Sequence, residues 1–107
     1  MPTGVEVRRG EDGRYLLAGE LDLSNVEEVA EILRVELRAG SPPVVDLSHL
    51  SHMDSPGLRM FLQFAVYAQK EGLGPVALVN PSRSIRRLLE IALPGGAPGL
   101  RVLDGPV

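Results

Sequence analysis

Val44-Val45-Asp46-Leu47-Ser48-His49-Leu50-Ser51-His52-Met53-Asp54-Ser55-Pro56-Gly57-Leu58 is the stretch on which the reading of this 107-residue chain turns. Val44, Val45 and Leu47 make a short apolar, β-branched run after the breaker Ser41-Pro42-Pro43, which reads as a buried strand. The polar residues that follow read as a turn. From Leu58 the period changes. Leu58, Phe61, Leu62, Ala65 and Gln69 recur at i, i+3, i+4, i+7 and i+11, the spacing of one helix face, and four of these five are apolar. Leu62 is therefore expected in the core. Pro56 falls at or near the first turn of this helix, where a missing N–H costs nothing. Asp54 or Ser55 is the natural N-cap. An Asp-Ser pair is thus expected on the lip between a strand's carboxyl end and a helix's amino end, where open α/β sheets tend to place functional groups. Free N–H groups and the positive end of the helix dipole favour negative charge there. A phosphate on Ser55 would meet that receptive helix end, and also the carboxylate of Asp54.

Outward from this stretch, the chain alternates short strands and helices. Val5-Glu6-Val7-Arg8 has period two, Gly10-Glu11-Asp12-Gly13 marks a turn, and Tyr15 to Ala18 follows, so the chain opens with a hairpin. Ser24-Asn25-Val26-Glu27 reads as a capping box. Val26, Val29, Ala30, Leu33 and Leu37 then follow at helical spacing, and Gly40 ends that helix. Val76-Ala77-Leu78-Val79 is a second buried strand, joined to the first through the helix after Pro56, which is the pattern of a parallel crossover. Asn80-Pro81-Ser82 turns the chain into a third helix with Ile85, Leu88, Leu89 and Ala92 on its apolar face and Arg83, Arg86, Arg87 and Glu90 facing away. Leu100-Arg101-Val102-Leu103 is a last strand, and Asp104 to Val107 a tail.

Composition narrows the function classes. Apolar residues make up 44% of the chain, which supports a folded core rather than disorder. Aromatics are only 4% with no Trp, which is poor material for a stacking platform, and a net charge of −3 argues against a duplex-binding surface. No direct nucleic-acid partner is expected. The absence of Cys removes disulfide frameworks, Cys-based zinc sites and thiol catalysis. The amino end has no basic region followed by an apolar run, so no signal peptide is expected. The stretch Leu58 to Ala68 is too short and too interrupted to span a bilayer, so membrane insertion is not expected either. A cytoplasmic protein is the expectation.

The chemistry-bearing residues do not assemble an enzyme. Ser55 has His49 and His52 nearby in sequence, but no Gly-x-Ser-x-Gly elbow surrounds it. His49, His52 and Asp54 fit no standard metal-ligand spacing. Glu20 and Asp22 read as solvated acids of a loop, with a place in a partner-binding surface as their functional option. Phosphate-binding glycine fingerprints are absent, so any nucleotide chemistry must come from a partner. No catalytic residue, metal or cofactor is expected.

Met53-Asp54-Ser55-Pro56-Gly57-Leu58, preceded by Val44-Val45-Asp46-Leu47-Ser48, resembles the signature of the STAS domain, most of all that of the bacterial anti-sigma factor antagonists. Gly19-Glu20-Leu21-Asp22 is similar to the turn that ends the family's second strand. Asn80-Pro81-Ser82, followed by Ile85 and Leu88-Leu89, is similar to its last helix. The resemblance implies an α/β fold of STAS type. It would be a single domain over residues 1–107 with a core at about 5–103, built on a small mixed sheet of four or five strands with helices mainly on one face. It also implies that Ser55 is the phosphoacceptor of a partner kinase. Asp54 would orient that serine or engage the kinase, and Gly57 would allow close approach at the helix start. Asp22, Asp54, Ser55, Pro56, Gly57 and Arg59 would form the partner-binding surface. Pro56 stands where many members carry a second small residue. The implied partners are an anti-sigma factor that is also a serine kinase of the histidine-kinase-like ATPase fold, and a PP2C-type phosphatase. Binding to the first releases a sigma factor, phosphorylation of Ser55 ends the binding, and the phosphatase restores it. The alternative from another class is a cytoplasmic STAS accessory subunit of a membrane transport or lipid-trafficking complex, in which Ser55 is only a cap.

Overall fold

Alternation in Val5–Arg9 and in Tyr15–Leu21 pairs two strands across a glycine-containing turn: β1 (Val5–Arg9) runs antiparallel to β2 (Tyr15–Leu21). The structure is a computed structural model that describes residues 4–104. The residues beyond Asp104 read as tail, and residues 1–3 read for a leader, lie outside the described residues. Helix α1 (Val26–Arg38) carries the chain to β3 (Val44–Met53), and α2 (Ser55–Lys70) carries it to β4 (Val76–Val79). Helix α3 (Arg83–Ala92) precedes β5 (Leu100–Leu103). The sheet order is β1-β2-β3-β4-β5, and every pair after the first is parallel. The architecture is therefore mixed α/β with five strands and three helices. Right-handed crossovers that always step the same way along a sheet deliver their helices to one face. The buried side chains of the helices accordingly share one contiguous core with Leu17, Val45, Leu47, Leu50, Val76 and Leu78 of the sheet.

The expected apolar face of α1 is the observed one, with Val26, Val29, Ala30, Leu33 and Leu37 buried. Its start differs. The helix is preceded by Asn25 as N-cap and has no side-chain cap, so the capping box does not form. The Ser24 hydroxyl is drawn instead to Asp22 Oδ1 at 2.5 Å, and Asn25 is turned inward, 1% exposed. The helix ends as expected at Gly40, whose φ of 87° lets Ser41 N–H reach the Glu36 carbonyl at 3.0 Å.

Two further expectations are corrected. The polar residues after Leu47 are strand rather than turn: β3 runs on to Met53. Register shifts against β2 insert extra β3 residues between Leu16 and Ala18 and again between Gly19 and Glu20. Each bulge re-phases the pleat, so the inward residues are Val45, Leu47, Leu50 and Met53 and the period of two is hidden. On α2 the buried stripe is Gly57, Met60, Phe61, Phe64, Ala65 and Ala68. Leu58 and Leu62 are half-buried and Gln69 is exposed, so the core face is rotated from the expected one and Leu62 is not a fully buried residue.

Candidate functional site

The site lies where β2 and β3 end side by side, Leu21 opposite Met53. Two turns leave this edge, Asp22–Asn25 into α1 and Asp54 into α2, and three polar side chains fasten them. Asn25 accepts from Asp22 N–H at 2.9 Å and donates to the Glu20 carbonyl at 2.9 Å. Asp22 accepts from the Ser24 N–H at 2.9 Å as well as from its hydroxyl. Those bonds, the hydroxyl's first, hold the Asp22 carboxyl below the usual carboxylate range, and attraction to His52 adds to them. Asp54 is the N-cap of α2, taking the Gly57 N–H on Oδ1 at 3.2 Å. Its Oδ2 accepts the Leu23 N–H at 3.2 Å, and its own N–H donates to the Leu21 carbonyl at 3.2 Å. Asp54 thereby ties the turn after β2 to the first turn of α2.

Gly57 makes this seat possible. A Cβ there would lie 2.8 Å from Met53 Cγ, closer than real Cβ atoms come, and a tight 3.1 Å from two atoms of Leu21. The first turn of α2 therefore rests directly on the ends of both strands. Met53 and Leu21 are buried beneath it.

Above this fastened backbone the side chains are offered outward. Ser55 is the first residue of α2 and exposed, and its hydroxyl makes no hydrogen bond among the described residues. Pro56 occupies the next position, half-buried. Arg59 is exposed one turn on and makes no ion pair among the described residues. Leu23, an apolar residue that the sequence reading passed over, is 73% exposed. Leu23, Pro56 and Arg59 line one end of a shallow hollow of about 210 Å³ between α1 and α2. The signal for Leu23 was present in the chain, as a lone large apolar residue in an otherwise polar turn. For Asn25 there was none beyond a residue type that suits turns.

Of the six residues expected at the partner surface, Asp54, Ser55, Pro56, Gly57 and Arg59 come together on the opening turns of α2, with Asp22 across the lip. Asp54 and Gly57 hold the backbone, and both oxygens of Asp54 face main-chain N–H groups. His49 Nδ1 lies 3.1 Å from Ser48 Oγ, and neither histidine is hydrogen-bonded to Ser55. Ser82 and Ser84, at the start of α3, donate to the Leu50 and Ser51 carbonyls at 2.8 and 3.2 Å, so α3 covers the part of β3 that outruns β4. Arg86, expected to face away, is half-buried and pairs with Asp104. Among the described residues no group of three or more His, Asp or Glu side chains is placed to hold a metal ion. No helix among them is long and apolar enough to cross a membrane.

Comparison with solved structures returns the same mixed α/β architecture. A candidate anti-sigma factor antagonist from Thermotoga maritima aligns with a TM-score of 0.71 at 19% identity, over 96% of this chain and 87% of that one. The anti-sigma factor antagonist SpoIIAA in its unphosphorylated form aligns at 0.67 and 20% identity, over 95% and 89%. The Bacillus cell fate determinant SpoIIAA in its phosphorylated form aligns at 0.65 and 21% identity, over 95% and 91%. Identities of this size show the shared fold. No curated protein matches the chain in sequence. A family model described as Mlab, STAS domain, matches residues 6–93. The chain belongs to the STAS domain family.

Proposed function

We propose that this protein is an anti-sigma factor antagonist, a single STAS domain whose switch is Ser55. The observation that carries the reading is the contrast at one position: an exposed, unengaged serine hydroxyl on a backbone that Asp54 holds at both ends. The partner is an anti-sigma factor serine kinase of the ATPase fold. It docks on Ser55, Pro56 and Arg59, with Asp22 beside them and Asp54 and Gly57 setting the backbone. Docking withdraws the kinase from a sigma factor. Transfer of the γ-phosphoryl group of ATP to Ser55 Oγ releases ADP and the hydroxyl proton, and adds about −1.5 to −2 charges to the contact surface. That charge, next to Asp54 and desolvated in an interface, weakens binding without refolding the domain. A few kcal/mol suffices, because each 1.4 kcal/mol is about tenfold in affinity. A PP2C-type phosphatase hydrolyses the ester and restores the surface.

The test is affinity capture from source-cell lysate with wild type, Ser55→Ala and Ser55→Glu as baits, the bound proteins being identified by mass spectrometry. An ATPase-fold kinase held by wild type and Ser55→Ala but lost with Ser55→Glu supports the switch. One observation favours a second reading. Pro56 fixes the backbone directly after the acceptor, which suits a serine that only opens a helix. In that reading the domain is an accessory subunit of a transport or lipid-trafficking complex. A transporter ATPase held equally by all three baits would retire the switch in its favour.

A further inference from the structure

The amino end of α2 has little to offer a phosphate on Ser55. Pro56 has no N–H. The Gly57 N–H is taken by Asp54 Oδ1 at 3.2 Å and the Leu58 N–H by the Asp54 carbonyl at 3.1 Å. At most the N–H of Ser55 itself is left. The acidic groups at this lip, Asp54 and Asp22, oppose a second negative charge. The remaining charge on the opening turns of α2 is Arg59. It stands four residues after Ser55, where side chains on one helix flank meet. Helical side chains lean toward the amino terminus, so the Arg59 stem is long enough and suitably placed to carry its guanidinium back to Ser55. Its guanidinium is exposed and has no ion-pair partner among the described residues.

We infer that Arg59 is the internal counter-charge of the phosphorylated state: once Ser55 carries a phosphate, the Arg59 guanidinium folds back one turn and pairs with it. The inference rests on Ser55 being the phosphoacceptor, as proposed above. It adds a second half to the switch. In the unmodified protein Arg59 is a cation without an ion-pair partner among the described residues, beside Leu23 and Pro56 on the face offered to a partner. In the modified protein that cation is satisfied within the chain by charge-assisted hydrogen bonds. Phosphorylation thus withdraws a positive contact from the same surface to which it adds negative charge, and the phosphate is accommodated without help from the helix end.

Phosphoserine placed at position 55 of the full chain by genetic incorporation makes the test independent of any kinase. The second pKa of the phosphate is read by phosphorus NMR titration at low salt. Arg59→Gln should raise it by about 0.3 of a pH unit, the size of an exposed i,i+4 ion pair. Arg59→Lys should keep most of the wild-type value. Lys70→Gln, which removes the same charge from the far end of α2, should leave it unchanged. Raising the salt to about 1 M should shrink the Arg59→Gln difference. Equal values in wild type and Arg59→Gln, or an equal rise in Lys70→Gln, overturns the inference and leaves Ser55 as phosphoacceptor untouched. Failure of the captured kinase to label Ser55 would instead remove the reading on which the inference stands.

Discussion

The two ends of the sheet use the same kinds of side chain in opposite ways. At the amino end of β2, Arg9 Nη2 meets Glu36 Oε1 at 2.6 Å, and the Tyr15 hydroxyl donates to that oxygen at 3.3 Å. The Arg9 guanidinium also lies 5.5 Å from the centre of the Tyr15 ring. Acid, base and hydroxyl satisfy one another there and staple β1, β2 and α1 together. At the carboxyl end Asp54 is spent on main-chain N–H groups, and Asp22 on the N–H and hydroxyl of Ser24. Asp22 and Asp54 fasten turns, so the hydroxyl of Ser55 and the cation of Arg59 are left without partners among the described residues. The difference teaches that a group's availability is set by what its neighbours are already doing. A polar cluster that closes on itself is structure, whereas one whose acids are bound to backbone leaves its other members free for a second molecule.

The largest expected effect tests whether the offered end really rests on core. Leu21, fully buried beneath Gly57, should cost about 2–5 kcal/mol on replacement by Ala, read from urea denaturation. Leu62→Ala, at a half-buried position, should cost well under that. Equal losses would mean that the face assigned to α2 is wrong. The next effect tests the tie between the two turns. Asp54→Ala should lower stability by about 0.5–2 kcal/mol, the range of a lost N-cap. It should also speed hydrogen exchange at the Leu23 and Gly57 amides together. Acceleration at Gly57 alone would reduce Asp54 to a simple cap.

The smallest effect is at the stapled end. Burial first, and then the Glu36 carboxylate, push the Tyr15 hydroxyl above its ordinary pKa of 10.0. The folded state therefore holds the Tyr15 proton more tightly than the unfolded state does. Stability from this group is complete below about pH 10 and is lost as pH rises through the higher folded value. The melting temperature of wild type should fall more steeply above pH 10 than that of Tyr15→Phe. Parallel curves would show that the cluster does not sense the hydroxyl's charge.

How much was legible varied from element to element for physical reasons. Helix α1 has charged residues on its outer flanks, so its apolar stripe had one phase and was read correctly. In α2, Leu58, Met60, Leu62, Phe64, Val66 and Tyr67 spread apolar surface almost all round, and local spacing allowed more than one face. The notch at Gly57 selects among them, because only that seat brings the backbone onto Leu21 and Met53. Strand β3 looked polar after Leu47 because its bulges convert a period of two into spacings of three. The Asp54-Ser55 lip was legible because an N-cap, a proline and a glycine are local signals. That Asp54 also holds Leu23 was not, since the two are 31 residues apart.

By itself the sequence determined the order of strands and helices and the placing of Ser55 at a helix start, because each is set by signals within a few residues, and the strand–helix–strand order in turn implied the parallel crossovers. The tertiary structure alone decided which face of α2 is core, how far β3 runs, and which groups at the lip are spent and which are free. Those outcomes depend on hydrogen bonds and packing between distant segments, and no local pattern encodes which partner a carboxylate will find.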